Sequence, residues 1–487
     1  MQWKKKEWST MLGLGVLMVS FLNTALDWQL FDLPSPTFAA LATLVGSLIL
    51  WLFVATDWPS LLTLVSLGLI PEITYGQVSQ WSFGNTTFVF LLFTFVMTYA
   101  LNQTSFLKRV TSKVVHSRFA MSRPSRFITA FLGVVLILSS VISPTVIFMF
   151  LLPLFEEICL QFGWKKGDKS ASHLLIAMFV TIAIGTAMTP INHVFAITAM
   201  GLYAAMSKVV ISNLQYMQFA VPAGLAIFFI LLLSIRFLFK IDTKEIQLKE
   251  LNSLRDLAPI DKQESWIVGL FLGMVVMWLV PEMLVGAFPA FVSFFKQAGI
   301  MFPPLLMTAV LALLHVEGKP LLNISEAISK GVHWPSMLLV GATLALGTVL
   351  SNEKIGVVAL LNEQLSPFVV GLSSFSMVVF FVVWAGIQTN FTSNLVTVSV
   401  VTTMALTIFQ SAGTQFSANI AVICCAIGFM ASLAFVTAPA MPYVAISIGS
   451  GWTNSRDTFL FGCWMLIWCI LSAIAIFYPL GVVILQK

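Results

Sequence analysis

Apolar runs near the roughly 20 residues needed to cross a bilayer as a helix recur along the whole chain. The pattern predicts helices over 9–28, 38–56, 59–70, 86–104, 172–206, 217–237, 266–285, 300–316, 333–350, 417–450 and 458–484. Two further apolar stretches, 127–158 within a segment 124–160 and 367–406, are broken near their middles by polar residues. We read these as re-entrant hairpins that enter and leave on one side. Ten-residue strands of alternating polarity, the mark of a membrane β-barrel, do not appear. The expected fold class is an all-α polytopic membrane protein of about 11 transmembrane helices plus two re-entrant hairpins.

The halves of the chain repeat. "SSVISPTVIFMFLLP" matches "TNFTSNLVTVSVVTT", with Ser143 and Ser393 separated by 250 positions, and Pro190 and Pro439 in two later motifs are separated by 249. A near-constant offset across separate motifs indicates duplication. Each half contains five crossings plus a hairpin, an odd number of crossings, so the repeats are inverted. The organisation expected is an N-terminal helix and loop (1–37), a first repeat (38–237), a cytoplasmic amphipathic linker (238–265) and a second repeat (266–487).

Charge supports that arrangement. Only 9% of the residues are charged and 59% are hydrophobic, against about 25% charged in soluble domains. With the N-terminus inside, 21 of the 25 Lys and Arg fall on the cytoplasmic side, and only Lys208, Lys296, Lys354 and Lys487 fall outside. This is the bias of the positive-inside rule, so the net charge of +5 reports topology and not nucleic-acid binding. The first apolar segment has the outline of a signal peptide, but the topology favours an uncleaved helix. Cys159, Cys424, Cys425, Cys463 and Cys469 lack metal-ligand spacing and read as packing residues. Glu156 and Glu157 read as a hairpin end, and His315 as structural.

Four polar interruptions lie at membrane depth: "SSVISPT" (139–145), "TPINH" (189–193), "TNFTSN" (389–394) and "TAPAMPY" (437–443). Irregular backbone there is tolerated only where protein or a water-filled cavity satisfies it. Each break exposes helix N-termini, whose free N–H groups favour an anion. Singly, each break also reads as a mere kink, and Ser or Thr can bond back to their own helix; the symmetric pairing of all four favours a binding site. Neutral amides and hydroxyls can hold a carboxylate by hydrogen bonds alone. A resident buried cation would make the empty carrier harder to move through lipid. His193, beside one break, is the exception: a packing residue, a substrate contact or a titratable positive group.

These motifs resemble the divalent anion/sodium symporter family, the INDY-type dicarboxylate and citrate transporters, over most of the chain beyond the first helix. The resemblance implies an elevator-type fold in the cell membrane, a homodimer, dicarboxylate anions as substrates, and hairpin tips that clasp the carboxylates beside sodium sites. Carried over, the substrate-binding positions are Ser143, Pro144, Thr145, Ser393, Asn394, Leu395, Thr189, Pro190, Asn192 and Pro439. Pro144 stands where the family has Asn, and Leu395 where it has Thr. His193, Ser139 and Thr389 are candidates to couple to, or substitute for, a cation, and a residual sodium site would fall on Thr389 and Asn394. The departures favour sodium-independent dicarboxylate exchange, with no cofactor and sodium left open. Sodium-coupled symport of dicarboxylate, citrate or sulfate is the alternative, followed by another oxyanion carrier. A channel lacks its continuous polar stripe, and an enzyme lacks an acid/base pair or metal cluster.

Overall fold

The computed structural model describes residues 2–26, 28, 30–191, 194–242, 259–284, 287–350, 352–357, 359–360, 373–412 and 419–485. The chain begins with α1 (Gln2–Leu26), α2 (Ser35–Phe53), α3 (Trp58–Gly68), α4 (Tyr75–Trp81), α5 (Thr86–Asn102) and α6 (Phe106–Val115). The first hairpin follows as α7 (Pro124–Ser139) and α8 (Pro144–Gln161). A helix broken into α9 (Lys169–Met188) and α10 (Val194–Ser207) comes next, and α11 (Asn213–Phe237) ends the first half. The second half contains α12 (Lys262–Met283), α13 (Pro289–Ala298), α14 (Phe302–Leu313), α15 (Ile324–Gly331) and α16 (Trp334–Leu350). Its hairpin is α17 (Ser374–Phe391) and α18 (Asn394–Ala412), and its broken helix is α19 (Ile420–Ser432) and α20 (Pro442–Gly449). The final helix, α21 (Ser455–Leu485), contains a π-helical turn at Ala473–Phe477. Residues 243–258, the centre of the expected amphipathic linker, lie outside the described residues.

Helix starts follow the local chemistry. Thr74 with Gln77, and Ser212 with Gln215, form capping boxes for α4 and α11, while Asn85, Asn419 and Asn454 accept backbone N–H bonds at α5, α19 and α21. Each satisfies donors that a helix end otherwise leaves bare. Pro opens α7, α8 and α20, at the one helical position where its missing N–H is not needed.

Among the described residues the apolar runs are helical apart from a few residues at their ends, and the two hairpin turns and two helix breaks fall at the polar interruptions. Among the described residues, eight helices are long and apolar enough to span a membrane, or up to 11 if each of three bent pairs is one span. The pairs α4–α5, α13–α14 and α15–α16 bend by 50°, 81° and 80°. Short helices α4, α6, α13 and α15 were not expected from the hydropathy pattern. In α6 only Leu107, Thr111 and Val115 are buried, a narrow face too short to register as a span. Bidentate hydrogen bonds of 3.0 Å from Arg109 to Glu264 join α6 to α12. His315, two residues past the end of α14, sits in a two-stranded turn with Lys319–Pro320.

The duplication is visible element by element. α5 and α16 both have 17 residues, each preceded by a short helix and followed by hairpin, broken helix and long final helix. Contacts swap between halves, α3 against α16 and α14 against α5, as a two-fold relation requires. Phe127 and Phe162 stack edge-on at 5.9 Å at the base of the first hairpin, and Phe381 and Phe409 stand 6.5 Å apart in the second. Both pairs run the two arms antiparallel.

The core centres on α9 and α19. The α9 span is 94% buried, and every α19 residue from Ala421 to Ser432 is buried. Gly428 of α19 lets α10 approach so closely that a Cβ there would lie 2.8 Å from Ala196 Cα. Small residues at such crossings let membrane helices pack backbone to backbone. Gly428→Val is therefore expected to cost about 1–3 kcal/mol through overpacking, read as a lowered thermal unfolding midpoint in detergent.

Candidate functional site

The four breaks are held by a matched set of hydrogen bonds. At the first hairpin tip, α7 ends at Ser139, and Ser143 precedes Pro144, the first residue of α8. Ser139 is buried and its hydroxyl donates back to Leu136 O at 3.1 Å. The Ser143 hydroxyl makes no capping bond, so the first N–H groups of α8 are left open, and Thr145 is half-buried beside them. Gly185 of α9 allows this tip to seat, since a Cβ there would meet Leu136 O at 2.5 Å.

At the first break, Thr189 is extended and buried, and its hydroxyl donates to Ser140 O of the hairpin tip. Pro190 and Ile191 are buried next to it. The carbonyl of Ala187, freed where α9 ends, accepts from Tyr216 Oη at 2.8 Å. Asn192 and His193 lie outside the described residues.

The second half repeats the latch. Thr437 is extended and donates its hydroxyl to Asn390 O, as Thr189 does to Ser140. Thr389 Oγ1 donates to Ala431 O at 2.9 Å. The Asn390 side chain, fully buried, makes four further bonds: Nδ2 donates to Gly386 O at 2.8 Å and Leu433 O at 3.2 Å, and Oδ1 accepts from Phe435 and Val436 N at 2.8 Å each. Where α19 stops, its unpaired carbonyls and the next N–H groups find partners in this one amide. Ser140, the counterpart of Asn390, instead bonds back to Ile137 O at 2.7 Å, so among the described residues this clamp is made only in the second half.

Asn394 opens α18 and behaves differently. It is 5% exposed, and among the described residues neither its amide oxygen nor its nitrogen has a hydrogen-bond partner. Ser393 is half-buried, and its carbonyl accepts from Thr397 N at 2.9 Å. Leu395 is buried, whereas Pro439, the counterpart of buried Pro190, is exposed.

Packing brings the half-helix starts together in pairs across the repeat. Ala199 of α10, Val398 of α18 and Ala431 of α19 form one buried cluster with Phe195, so the first two turns of α10 and α18 lie side by side. Their symmetry mates, α20 and α8, meet through Tyr443 and Phe148, ring centroids 5.9 Å apart. The two pairs flank the α9–α19 contact. Among the described residues of the four breaks none is charged. The site offers N–H groups, hydroxyls and one unused amide, a set suited to anion binding without a resident cation.

Sequence reasoning named Thr189, Thr389 and Asn394 but passed over Asn390 and Thr437. The Thr-Asn pair at 389–390 was the available signal, since two adjacent polar residues on a helix cannot share a face. Cys159, Cys424, Cys425 and Cys469 are buried and Cys463 is half-buried, all as free thiols, and Glu156 accepts from Trp452 Nε1 at 3.0 Å.

Known proteins match this architecture over nearly its whole length. The chain is 24% identical to the sodium-dependent dicarboxylate transporter SdcS of Staphylococcus aureus strain MRSA252, covering 99% of this chain and 94% of that one. In fold it is similar to MtrF of Neisseria gonorrhoeae, described among a class of antimetabolite efflux pumps, with a TM-score of 0.59 at 10% identity, covering 93% of this chain and 96% of that one. The YdaH transporter of Alcanivorax borkumensis gives 0.57 at 11% identity, covering 92% and 98%. The citrate transporter family CitMHS matches residues 47–428. The chain therefore belongs to the citrate transporter family and is a multi-pass membrane transporter of the divalent anion/sodium symporter type.

Proposed function

We propose that this transporter moves four- and five-carbon dicarboxylates across the cell membrane, with its N-terminus cytoplasmic, as a homodimer working by an elevator movement. Substrate carboxylates are held at the two hairpin tips by Ser143, Thr145, Ser393 and Asn394, with Thr189, Pro190, Asn192 and the Pro439 turn closing the site. The observation that carries this reading is the Asn394 amide, buried at the start of α18 with both polar atoms unpaired. Leaving such a group unsatisfied costs about 1–3 kcal/mol, and a carboxylate oxygen on Nδ2 removes that penalty.

Transport runs as exchange of one dianion for another without sodium. The site is neutral among its described residues, and His193 takes the place of the sodium charge beside the first break. A second reading, sodium-coupled uptake, is favoured by the name of the SdcS relative. Counterflow in proteoliposomes separates the two. Vesicles loaded with succinate, malate, 2-oxoglutarate or citrate are expected to take up labelled dicarboxylate about tenfold faster than empty ones, with or without sodium. Uptake that needs a sodium gradient and ignores the internal anion refutes exchange in favour of symport.

A further inference from the structure

We infer that a cleft between α10–α11 and α12–α14 is the outer approach to the carboxylate site, and that Lys296 at its mouth gathers the dianion. This rests on the carboxylate-transport reading above. The cleft has a volume of about 740 Å³. Its inner wall is a single stripe of α10, Ile197, Met200, Gly201 and Ala204, at the i, i+3, i+4, i+7 spacing of one helix face. Ile197 stands in the first turn of α10, directly after the first break. Seven residues at 1.5 Å each make this wall about 10 Å long.

The cleft lies where the charge bias puts the outside. The starts of α5, α11 and α14 and the ends of α10 and α12 line it through Thr86, Asn213, Pro303, Ala204 and Pro281. All five helix ends are extracellular in the topology that leaves Lys208 and Lys296 outside. Lys296 is exposed and is the one charged side chain among the described lining residues. Gln215 and Gln218 add neutral polarity, and Asn213 in the same wall is 3% exposed with both amide atoms unpaired. An apolar crevice meant for lipid tails does not need these groups. A path for a hydrated dianion does.

Charge predicts the size of the effect. A unit cation about 10 Å from a dianion raises its local occupancy about threefold in dilute salt, and screening erases most of this at physiological ionic strength. Lys296→Gln should therefore raise the external KM about threefold at low ionic strength, Lys296→Glu about ninefold, and Lys296→Arg not at all. In each, kcat should stay at its wild-type value and the differences should vanish in high salt. Lys296→Cys tests the same point on folded protein. A cationic membrane-impermeant thiol reagent added outside cells should restore the wild-type KM for succinate, and an anionic one should raise it further.

Wild-type KM in Lys296→Gln and Lys296→Glu across ionic strength overturns the inference, as does reaction of Lys296→Cys only with reagent supplied from the inside. If the wild type moves carboxylates and Asn394→Ala stops it while Lys296 variants behave as wild type, this inference alone fails. If the wild type moves no carboxylate, the reading beneath it fails.

Discussion

Asn394→Ala is expected to lower dicarboxylate uptake about ten- to a hundredfold while leaving the thermal unfolding midpoint within about 3 °C of wild type. Hydrogen bonds to a charged group contribute about 1.5–3 kcal/mol, which sets the loss of transport. Stability should hardly change, because the amide bonds nothing among the described residues and its removal breaks no hydrogen bond there. A stable variant that still transports would place the carboxylate elsewhere. Thr145→Val makes the equivalent test at the first tip, where Thr145 stands one residue beyond Pro144 and beside the uncapped start of α8. Normal uptake in both variants would remove both tips from the site.

Asn390→Ala, four positions away, should do the opposite in kind. The variant leaves the N–H groups of Phe435 and Val436 and the carbonyl of Leu433 without their side-chain partner, all in residues no more than 1% exposed. At about 1–3 kcal/mol for each unsatisfied buried group, the loss should exceed about 3 kcal/mol, enough to drop the midpoint by several degrees. Transport should fall as well, because Asn390 fastens the tip that presents Asn394 to the end of α19. Asn390→Asp keeps the acceptor for two N–H groups but buries a charge and removes both donors, so it should not rescue. A variant as stable as wild type would mean that Thr389 and Thr437 hold the tip unaided. The two asparagines thus separate a group free to bind substrate from one occupied in holding the site together.

Much of this molecule is legible from residue order. Hydrophobic runs of bilayer length can only be helices, since lipid offers the backbone no other partner. The interruptions at 139–145, 189–193, 389–394 and 437–443 mark where helices stop because Pro and clustered polar side chains cannot continue an apolar span. The 249–250 residue offset between matching motifs reveals the duplication without coordinates. Short amphipathic helices such as α6 and α15 escape, because their apolar face is a few residues long and their exposed face is charged like a loop.

Side-chain partnership is another matter. Ser139 and Thr389 look alike in the two tips, yet one bonds within its own helix and the other reaches Ala431 O. Asn390 and Asn394 are both amides in one hairpin tip, and their opposite roles depend on whether the end of α19 lies within hydrogen-bond reach. Pro190 and Pro439 occupy matched places in the repeat, yet one is buried and the other exposed. Chain order dictates where backbone groups must be left bare, because that is a property of local residue chemistry. Which side chain meets them depends on how each hairpin tip packs against the end of the broken helix that follows it, between residues 42 to 49 positions apart, and no local pattern encodes it.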